Sequence, residues 1–257
     1  MTSTEGGAQG AAAFIAKARA REPEMAFAEV FCPRGLRERF ALWGALVFEW
    51  REAAYELSDA RPTEAKCAWW ADEALRCAQS APRHPLTIAL AAPGLPWGTL
   101  ARALVVASQA EAARPIDRDA ALATAEPLAS AIATVEGALF GASAGEDAKR
   151  AVAVHLVGER LQLGDGGLVP LSLLARHGNT GAELGQPGGE PVLRDWAREL
   201  AEALPSDPSG ACLYRRARAA FDGWRLRERA RGARPLVPPF RAVLLAWRAA
   251  RKARWPG

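Results

Sequence analysis

Apolar and polar positions recur along this chain with a period near 3.6 residues, and no stretch shows the period-2 alternation of paired strands. Proline and glycine divide the sequence into segments of helical length. Alanine, the strongest helix former, supplies 58 of the 257 residues. The pattern therefore predicts an all-α protein, with helices over residues 8–21, 24–31, 35–58, 63–79, 84–92, 97–113, 118–141, 145–163, 168–177, 191–204, 208–232 and 237–254.

The predicted helices run along the whole chain without a clear division. The segment 178–190 is the most loop-like, being rich in glycine, but the apolar pattern resumes directly after it. No linker composition separates two halves, so we predict a single helical domain over residues 1–257. The first residues lack the basic and apolar segments of a secretory signal, and no window approaches the roughly 18 uninterrupted apolar residues of a membrane span. We therefore expect a cytoplasmic protein.

Positive charge is concentrated at the C-terminal end. Residues 213–257 contain 13 arginines and lysines against two acidic residues, whereas the rest of the chain has 20 basic and 27 acidic residues. We predict a basic C-terminal helical segment there, whose apolar residues, such as Leu236, Phe240 and Trp247, dock on the body and leave the arginines outward. Two interpretations stay open: peripheral contact with an anionic membrane at its inner face, or an ordinary solvated surface. No nucleic-acid-binding motif accompanies the charge, so no nucleic acid is expected as a partner.

The predicted helix over 35–58 has two contrasting faces. At about 100° per residue, its large apolar side chains gather into one stripe, and four carboxylates gather opposite. Those carboxylates have two interpretations, a magnesium site or a solvated acidic face, and their position opposite the stripe favours the second. The stripe contains Trp43, Leu46, Val47, Trp50, Ala54 and Leu57, and the acidic face contains Glu49, Glu52, Glu56 and Asp59.

Other candidate chemistry is sparse. The four cysteines form no CxxC pair, which predicts reduced and mostly buried thiols. His155 and His177 lie 22 residues apart without a nucleophile motif beside either, so both are interpreted as structural. Trp69 and Trp70 are adjacent on a predicted helix, so we expect one in the core and the other at a groove or surface.

Several motifs, in matching order, resemble those of squalene and phytoene synthases. A Pro-x-x-x-Arg element from Pro33 to Arg37 leads into the Ala-Leu-Trp-Gly-Ala run over 41–45. A Trp-containing helix then runs into the Pro-x-His-Pro turn over 82–85, and the similarity continues through the segments over 137–141, 168–178 and 247–251. The resemblance implies an isoprenoid-synthase-like helical bundle. It also implies two aspartate-rich motifs that hold Mg²⁺ against prenyl diphosphates.

Both aspartate-rich motifs are altered in this sequence. The first falls at Trp50 and Ala54, which are apolar, and the second falls within 152–167, where Asp165 is the only aspartate. The resemblance therefore implies a divergent member with no catalytic residues, metal site or cofactor, but with a remnant ligand-binding site. By this alignment that site contains Arg37, Glu49, Trp50, Arg51, Glu52, Ala54 and Glu159.

Three functions stay open at this point. The first is a catalytically silent squalene/phytoene synthase-like protein that binds a prenyl lipid or helps to assemble another protein, as a respiratory complex I assembly factor of the wider superfamily does. The second is an active prenyl transferase acting on farnesyl or geranylgeranyl diphosphate, with Mg²⁺ at an atypical site built from Glu49, Glu52 and Glu159. The third is a helical partner-binding protein unrelated to isoprenoids.

Overall fold

The computed structural model describes residues 2–57, 59–90, 93–109, 114–162 and 168–253, with side chains from residue 10 onward. Helices joined by turns and irregular loops make up these residues, and no strand occurs among them, so the all-α prediction is confirmed. Each of the twelve predicted helices is found. They are α1 Thr2–Arg21, α2 Met25–Val30, α3 Arg37–Arg51, α4 Ala60–Ala78, α5 Pro85–Leu90, α6 Trp97–Ser108, α7 Arg118–Phe140, α8 Glu146–Gln162, α9 Leu171–Arg176, α10 Glu190–Ala203, α11 Leu213–Ala230 and α12 Pro239–Lys252.

Local sequence signals explain where several helices begin and end. The side chain of Asp117 accepts a hydrogen bond from the backbone N–H of Ala120 at 2.8 Å, which caps the start of α7. Asp59 caps α4 in the same way through the N–H of Arg61 at 3.0 Å. At the other end of α7, Gly141 adopts a left-handed conformation with φ of 64°, which residues with a Cβ atom rarely adopt.

The isoprenoid-synthase-like arrangement of the helices stays a prediction.

Helix α3 lies at the centre of the packed helices. It contacts α1, α2 and α5, while α7 packs against α6 and α8, and α11 packs against α2, α8, α10 and α12. The apolar core forms one contiguous cluster with residues from all twelve helices. Gly44 allows a close approach here, because an added Cβ would lie only 3.2 Å from the ring of Tyr214 on α11.

Trp50 lies in an aromatic cluster inside the core. Its side chain is 1% exposed, and its ring makes edge-to-face contacts with Trp43 at 5.5 Å and with Trp70 at 6.2 Å between centroids. The expected burial of Trp50 is therefore confirmed. Trp70 is buried and Trp69 is 49% exposed, which confirms the expected division between these neighbours.

The solvated acidic face predicted for α3 is wrong. The helix is buried on all sides from Leu42 to Arg51, and Glu49 is buried with it. The carboxylates are not opposite the core, because α1 covers that side and supplies cations to them. Lys17 of α1 binds Glu49 at 2.9 Å and Glu52 at 2.8 Å.

The predicted orientation of the C-terminal segment is wrong as well. Arg215, Arg218 and Arg225 on α11 are buried, although we expected the arginines to face outward. Phe240 is 73% exposed and Trp247 is 42% exposed, although we expected both to dock on the body. The physical reason is that the buried arginines have carboxylate partners inside, while small alanines of α12 make the contact with the body.

Two further expectations can be compared with the structure. The four cysteines are free, and three of them, Cys32, Cys67 and Cys212, are buried, as predicted. Among the described helices, none combines the length and the apolar character needed to cross a bilayer.

Replacing Trp50 by alanine should lower the free energy of unfolding by about 3–5 kcal/mol, the usual range for emptying a large aromatic site. Urea unfolding followed by circular dichroism measures this change. Trp69→Ala is the matched control, and it should cost no more than about 1.5 kcal/mol, the value of an exposed aromatic pair. A loss below about 1 kcal/mol for Trp50→Ala would contradict the packing described here.

Candidate functional site: a buried ionic network around Arg51

A group of ionisable side chains is buried between α1, α3, α8 and α11. None of these side chains is more than 10% exposed, although charged residues are seldom buried. We call this group the central network. It consists of Glu22, Glu24, Arg51, Glu56, His155, Glu159, Arg218, Asp222 and Arg225.

Arg51 lies at the middle of the central network with no exposed side-chain surface. Its guanidinium group binds the carboxylate of Glu22 and, through Nε, Oε1 of Glu56 at 2.8 Å. Oε1 of Glu159 lies 3.8 Å from its Nη2. The guanidinium also lies over the ring of Phe48, 5.0 Å from the centroid. Three carboxylates from different parts of the chain therefore surround one buried cation.

A π-helical turn brings Glu56 to Arg51. After α3 ends, residues Glu52–Glu56 form this turn, which closes hydrogen bonds between residues five apart instead of four. In a regular α-helix, two residues five apart would point well away from each other. In the π turn they lie on the same side, and so Arg51 reaches Glu56. Such single turns are often found at functional sites.

Helix α11 supplies the other cations of the central network. Arg218 binds Glu22 at 2.9 Å, Glu24 at 2.8 Å and Asp222 at 2.8 Å. Arg225 binds Glu159 at 3.3 Å, and Glu159 lies one turn after His155 on α8. The carboxylates of Glu22 and Glu159 are thus each shared between Arg51 and an arginine of α11.

His155 joins Arg51 to Asp222. Its Nδ1 lies 3.0 Å from Oδ2 of Asp222, and its Nε2 lies 2.9 Å from Nη1 of Arg51. A guanidinium has only donors, so Nε2 must accept from Arg51 and carries no proton there. Nδ1 then donates to Asp222, which fixes the tautomer and the ring orientation.

The surroundings of Arg51 resemble a metal site. Glu22, His155 and Glu159 each offer a ligand atom, and these atoms lie within 4.8 Å of one another. The hydrogen bond from His155 to Asp222 is of the kind that orients metal-binding histidines. The Arg51 guanidinium bonds to Glu22 and His155 and lies close to Glu159, so it supplies the positive charge that a metal ion would supply.

The charges of the central network strongly shift the pKa values of Glu22, Asp222 and Arg51. Burial alone would raise the pKa of Glu22, but Arg218 and Arg51 outweigh burial and hold that pKa well below its ordinary value of 4.5. Burial likewise would raise the pKa of Asp222, and Arg218 again holds it well below 3.8. Burial would lower the pKa of Arg51, but the carboxylates of Glu159, Glu22 and Glu56 outweigh it and raise that pKa. These groups are therefore ionised at neutral pH.

A second buried ion pair lies next to the aromatic cluster. Arg215 of α11 donates two hydrogen bonds to Glu136 of α7, at 3.2 and 2.9 Å, and Trp43 Nε1 donates to Glu136 at 2.8 Å. The pair joins α3, α7 and α11 through one carboxylate. Its role is structural, because its polar atoms bond mainly to one another.

The predicted ligand-binding residues do not all come together. Arg51 and Glu159 belong to the central network, Trp50 lies in the aromatic cluster, and Glu49 and Glu52 share Lys17. Arg37 donates hydrogen bonds to the carbonyls of Cys32 and Val30, which fixes the turn before α3.

The remaining predicted positions add no metal ligand. Ala54 lies in the π-helical turn and has no side-chain oxygen. Asp165, the one aspartate of the second motif, lies outside the described residues. The residues present do not fit the magnesium site that the resemblance implies, since its first two aspartate positions are Trp50 and Ala54 and the nearby glutamates already bind cations.

Most members of the central network were not predicted from the sequence. A usable signal was present on α11, where charged residues recur at alternating spacings of three and four: Arg215, Arg218, Asp222, Arg225 and Arg229. This spacing places them on one helical face. Two further members, Glu22 and Glu24, flank Pro23 between α1 and α2, and nothing in their local sequence indicates burial.

Two hollows near the central network are small. The one lined by His155, Gly158, Glu159 and Asp222 has a volume of about 10 Å³, and the one beneath α1 and α3, beside Tyr214, has about 30 Å³. Pockets for organic ligands usually have about 300–1,000 Å³. Neither hollow can hold a prenyl chain. Comparison with known protein families and with curated proteins gives no match for this chain.

Replacing Arg51 by alanine should lower the free energy of unfolding by about 3–5 kcal/mol, because it leaves buried carboxylates without their central cation. Mn²⁺ or Zn²⁺ should then raise the melting temperature of the variant but not of the wild type, since Glu22, His155 and Glu159 become available as ligands. Thermal unfolding followed by circular dichroism at several metal concentrations measures both effects.

Two variants control this experiment. Arg19→Ala removes a half-exposed arginine that pairs with Glu29, and it should change stability by no more than about 1 kcal/mol. The double variant Arg51→Ala/His155→Leu should lose the stabilisation by metal. Equal metal effects on Arg51→Ala and on this double variant would show that the three ligand groups do not act together.

Acid should destabilise the protein through the central network. A carboxyl whose pKa is lowered by folding stabilises the folded state above its ordinary pKa. This contribution declines as the pH falls below the ordinary pKa and is lost once the pH has fallen through the lowered pKa of the folded state. Stability should therefore fall between about pH 5 and pH 2. In urea unfolding at a series of pH values, Asp222→Asn should show a shallower fall than the wild type. Asp72→Asn, at an exposed pair with Arg76, should keep the wild-type slope, and equal slopes for all three proteins would contradict the assignment.

Proposed function

We propose that this protein is a catalytically silent helical protein of the squalene/phytoene synthase-like class, which serves to bind or assemble a protein partner. The observation that carries the proposal is the filling of the first metal-binding position. Trp50 occupies it with a buried ring, and the neighbouring Arg51 provides a fixed positive charge.

The chemistry of prenyl transfer supports this proposal. Ionisation of an allylic diphosphate leaves negative charge on the departing group, and divalent metals ordinarily neutralise it. Carboxylates can hold such metals only when they are free to do so. Here Glu22, Glu56 and Glu159 are neutralised by Arg51 and by arginines of α11.

The dimensions of the interior support a protein partner over a prenyl lipid held inside. The two hollows near the central network have volumes of about 30 and 10 Å³. A farnesyl chain would have to displace the aromatic cluster of Trp43, Trp50 and Trp70. Emptying one such aromatic site costs about 3–5 kcal/mol, so binding inside would be opposed by a loss of that order.

The prenyl transferase alternative receives less support from the geometry. It requires Glu49, Glu52 and Glu159 to share one metal ion. Glu49 and Glu52 are bound to Lys17, whereas Glu159 faces Arg51 and Arg225. An ion at this place would need to displace at least two resident cations.

We expect no diphosphate release when the purified protein is incubated with Mg²⁺ and radiolabelled farnesyl or geranylgeranyl diphosphate, with an active squalene synthase as the positive control. Isothermal titration should show no stoichiometric Mg²⁺ binding. Farnesyl diphosphate with Mg²⁺ should leave the melting temperature unchanged, although a ligand at 100 times its Kd would add about 2.7 kcal/mol.

Metal-dependent diphosphate release would overturn the proposal if Glu49→Gln or Glu52→Gln abolished it. The matched control is Glu64→Gln, at the nearby start of α4, which should leave any such release unchanged.

A further inference from the structure

Helix α12 is amphipathic in an unusual sense, because its small residues face the protein and its large apolar residues face outward. Ala242, Ala246 and Ala249 are buried against the body. Phe240, at 73% exposure, and Trp247, at 42%, project from the opposite side. Apolar side chains of this size are normally buried, so their grouping on an exposed face indicates an interaction surface.

The exposed apolar residues form a continuous ridge. Phe240, Val243 and Trp247 lie three and four residues apart and therefore share one side of α12. Val243 is 43% exposed. The ridge extends over about two helical turns, or about 10 Å. Leu236, just before the helix, adds a fourth large apolar side chain at 60% exposure.

Positive charge flanks this ridge without any negative charge in the same segment. No aspartate or glutamate follows Glu228 in the sequence, whereas residues 229–257 contain eight arginines and lysines. At 100° per residue, Arg241, Arg248 and Lys252 line one flank of the ridge. Among the described residues, neither Arg241 nor Arg248 has a carboxylate within 4.0 Å.

Two of the arginines are held against aromatic rings. The guanidinium of Arg251 lies 4.9 Å from the centroid of the Trp247 ring, and that of Arg241 lies 4.5 Å from the Trp224 ring. The basic flank also borders an open groove of about 730 Å³ between α12 and the 206–208 loop. In this groove Asp207 binds Arg216 and Lys252, and Arg248 lies beside them without a carboxylate partner among the described residues. The ridge and the groove therefore lie side by side along α12.

We infer that α12 is a docking surface for an anionic lipid membrane, with the apolar ridge inserted at the headgroup boundary and the arginines bound to lipid phosphates. Interfacial helices combine Trp and Phe on an apolar face with Lys and Arg beside it, and they enter the bilayer by about 5–10 Å. The exposed positive charges of Arg248 and Arg251 beside the apolar ridge complement a surface of negative charge over an apolar layer. This surface shares no residue with the central network, so the inference does not depend on the proposed function.

The ion pairs of the C-terminal segment determine which of its arginines are available to bind lipid. Arg225 is buried, Arg229 binds Glu190 and Arg231 binds Glu228, so these residues of α11 and its C-terminal end are already engaged. On α12, Arg248 and Arg251 are exposed beside the apolar ridge, whereas Arg241 is half-buried with its guanidinium over the Trp224 ring.

Co-sedimentation of the full chain with vesicles tests the inference. The vesicles contain phosphatidylcholine alone or phosphatidylcholine with about one third phosphatidylglycerol, at low and at physiological salt. Binding should rise with phosphatidylglycerol and weaken with salt. Arg248→Gln/Arg251→Gln should bind the anionic vesicles at least about tenfold more weakly, because each exposed arginine contributes separately near the surface.

The apolar ridge has its own variant. Phe240→Ser/Trp247→Ser should bind at least about tenfold more weakly at both salt concentrations, because salt screens charge but does not replace apolar insertion. Both substitutions are at exposed positions, so circular dichroism should show an unchanged helical fold.

Matched controls separate this surface from general charge or hydrophobicity. Arg61→Gln/Arg102→Gln removes the same charge from exposed positions on α4 and α6, and Ile88→Ser/Val106→Ser removes exposed apolar groups from α5 and α6. Both controls should bind vesicles like the wild type.

Three outcomes would overturn the inference. One is negligible binding to anionic vesicles at low salt. Another is equal loss of binding in the control and α12 variants, which would indicate charge alone. The third is a concentration-dependent dimer of a wild-type protein that binds no vesicles, measured by analytical ultracentrifugation. If Phe240→Ser/Trp247→Ser abolished this dimer, the ridge would be an interface between two copies of the chain.

Discussion

The burial of the Arg51 guanidinium is the constraint on which much of this structure depends. An isolated charge in the protein interior costs several kcal/mol even after relaxation, so a fully buried arginine is stable only with carboxylates in good geometry around it. Those carboxylates come from the loop after α1, from the π-helical turn and from α8. Their positions relative to α3 are therefore fixed by one charge, and α11 is joined to the same carboxylates through Arg218 and Arg225.

The π-helical turn shows how this constraint acts on local structure. A regular helix would extend α3 with the four carboxylates on one side, as the sequence predicts. The extra residue per turn instead directs Glu56 back to Arg51 and leaves Glu49 and Glu52 to Lys17 on α1. A departure from regular helical geometry is tolerated where it satisfies a buried charge, because the unsatisfied charge would cost more.

The helices could be predicted from the sequence, because their apolar spacing, their capping aspartates Asp59 and Asp117 and the terminating Gly141 are all local signals. The central network could not, because its pairs join residues far apart along the chain. Glu24 and Arg218 are 194 positions apart, and Arg51 and His155 are 104 apart. Arginines are ordinarily exposed, so the sequence predicts those of α11 at the surface, and their burial depends on carboxylates distant in sequence. On α12 the sequence predicts that large apolar residues contact the body, whereas the alanines make this contact.

The same distribution of charge determines where this protein can interact with another molecule. Inside, the carboxylates around Arg51 are neutralised by arginines of the same chain, and the hollows near the central network are far smaller than the pockets that hold organic ligands. A ligand entering there would have to break several buried ion pairs at once. On α12, by contrast, Phe240, Trp247 and Arg248 are exposed in the folded state, and contact with them requires no change inside. Recognition at the surface therefore has a lower energetic cost than binding in the interior.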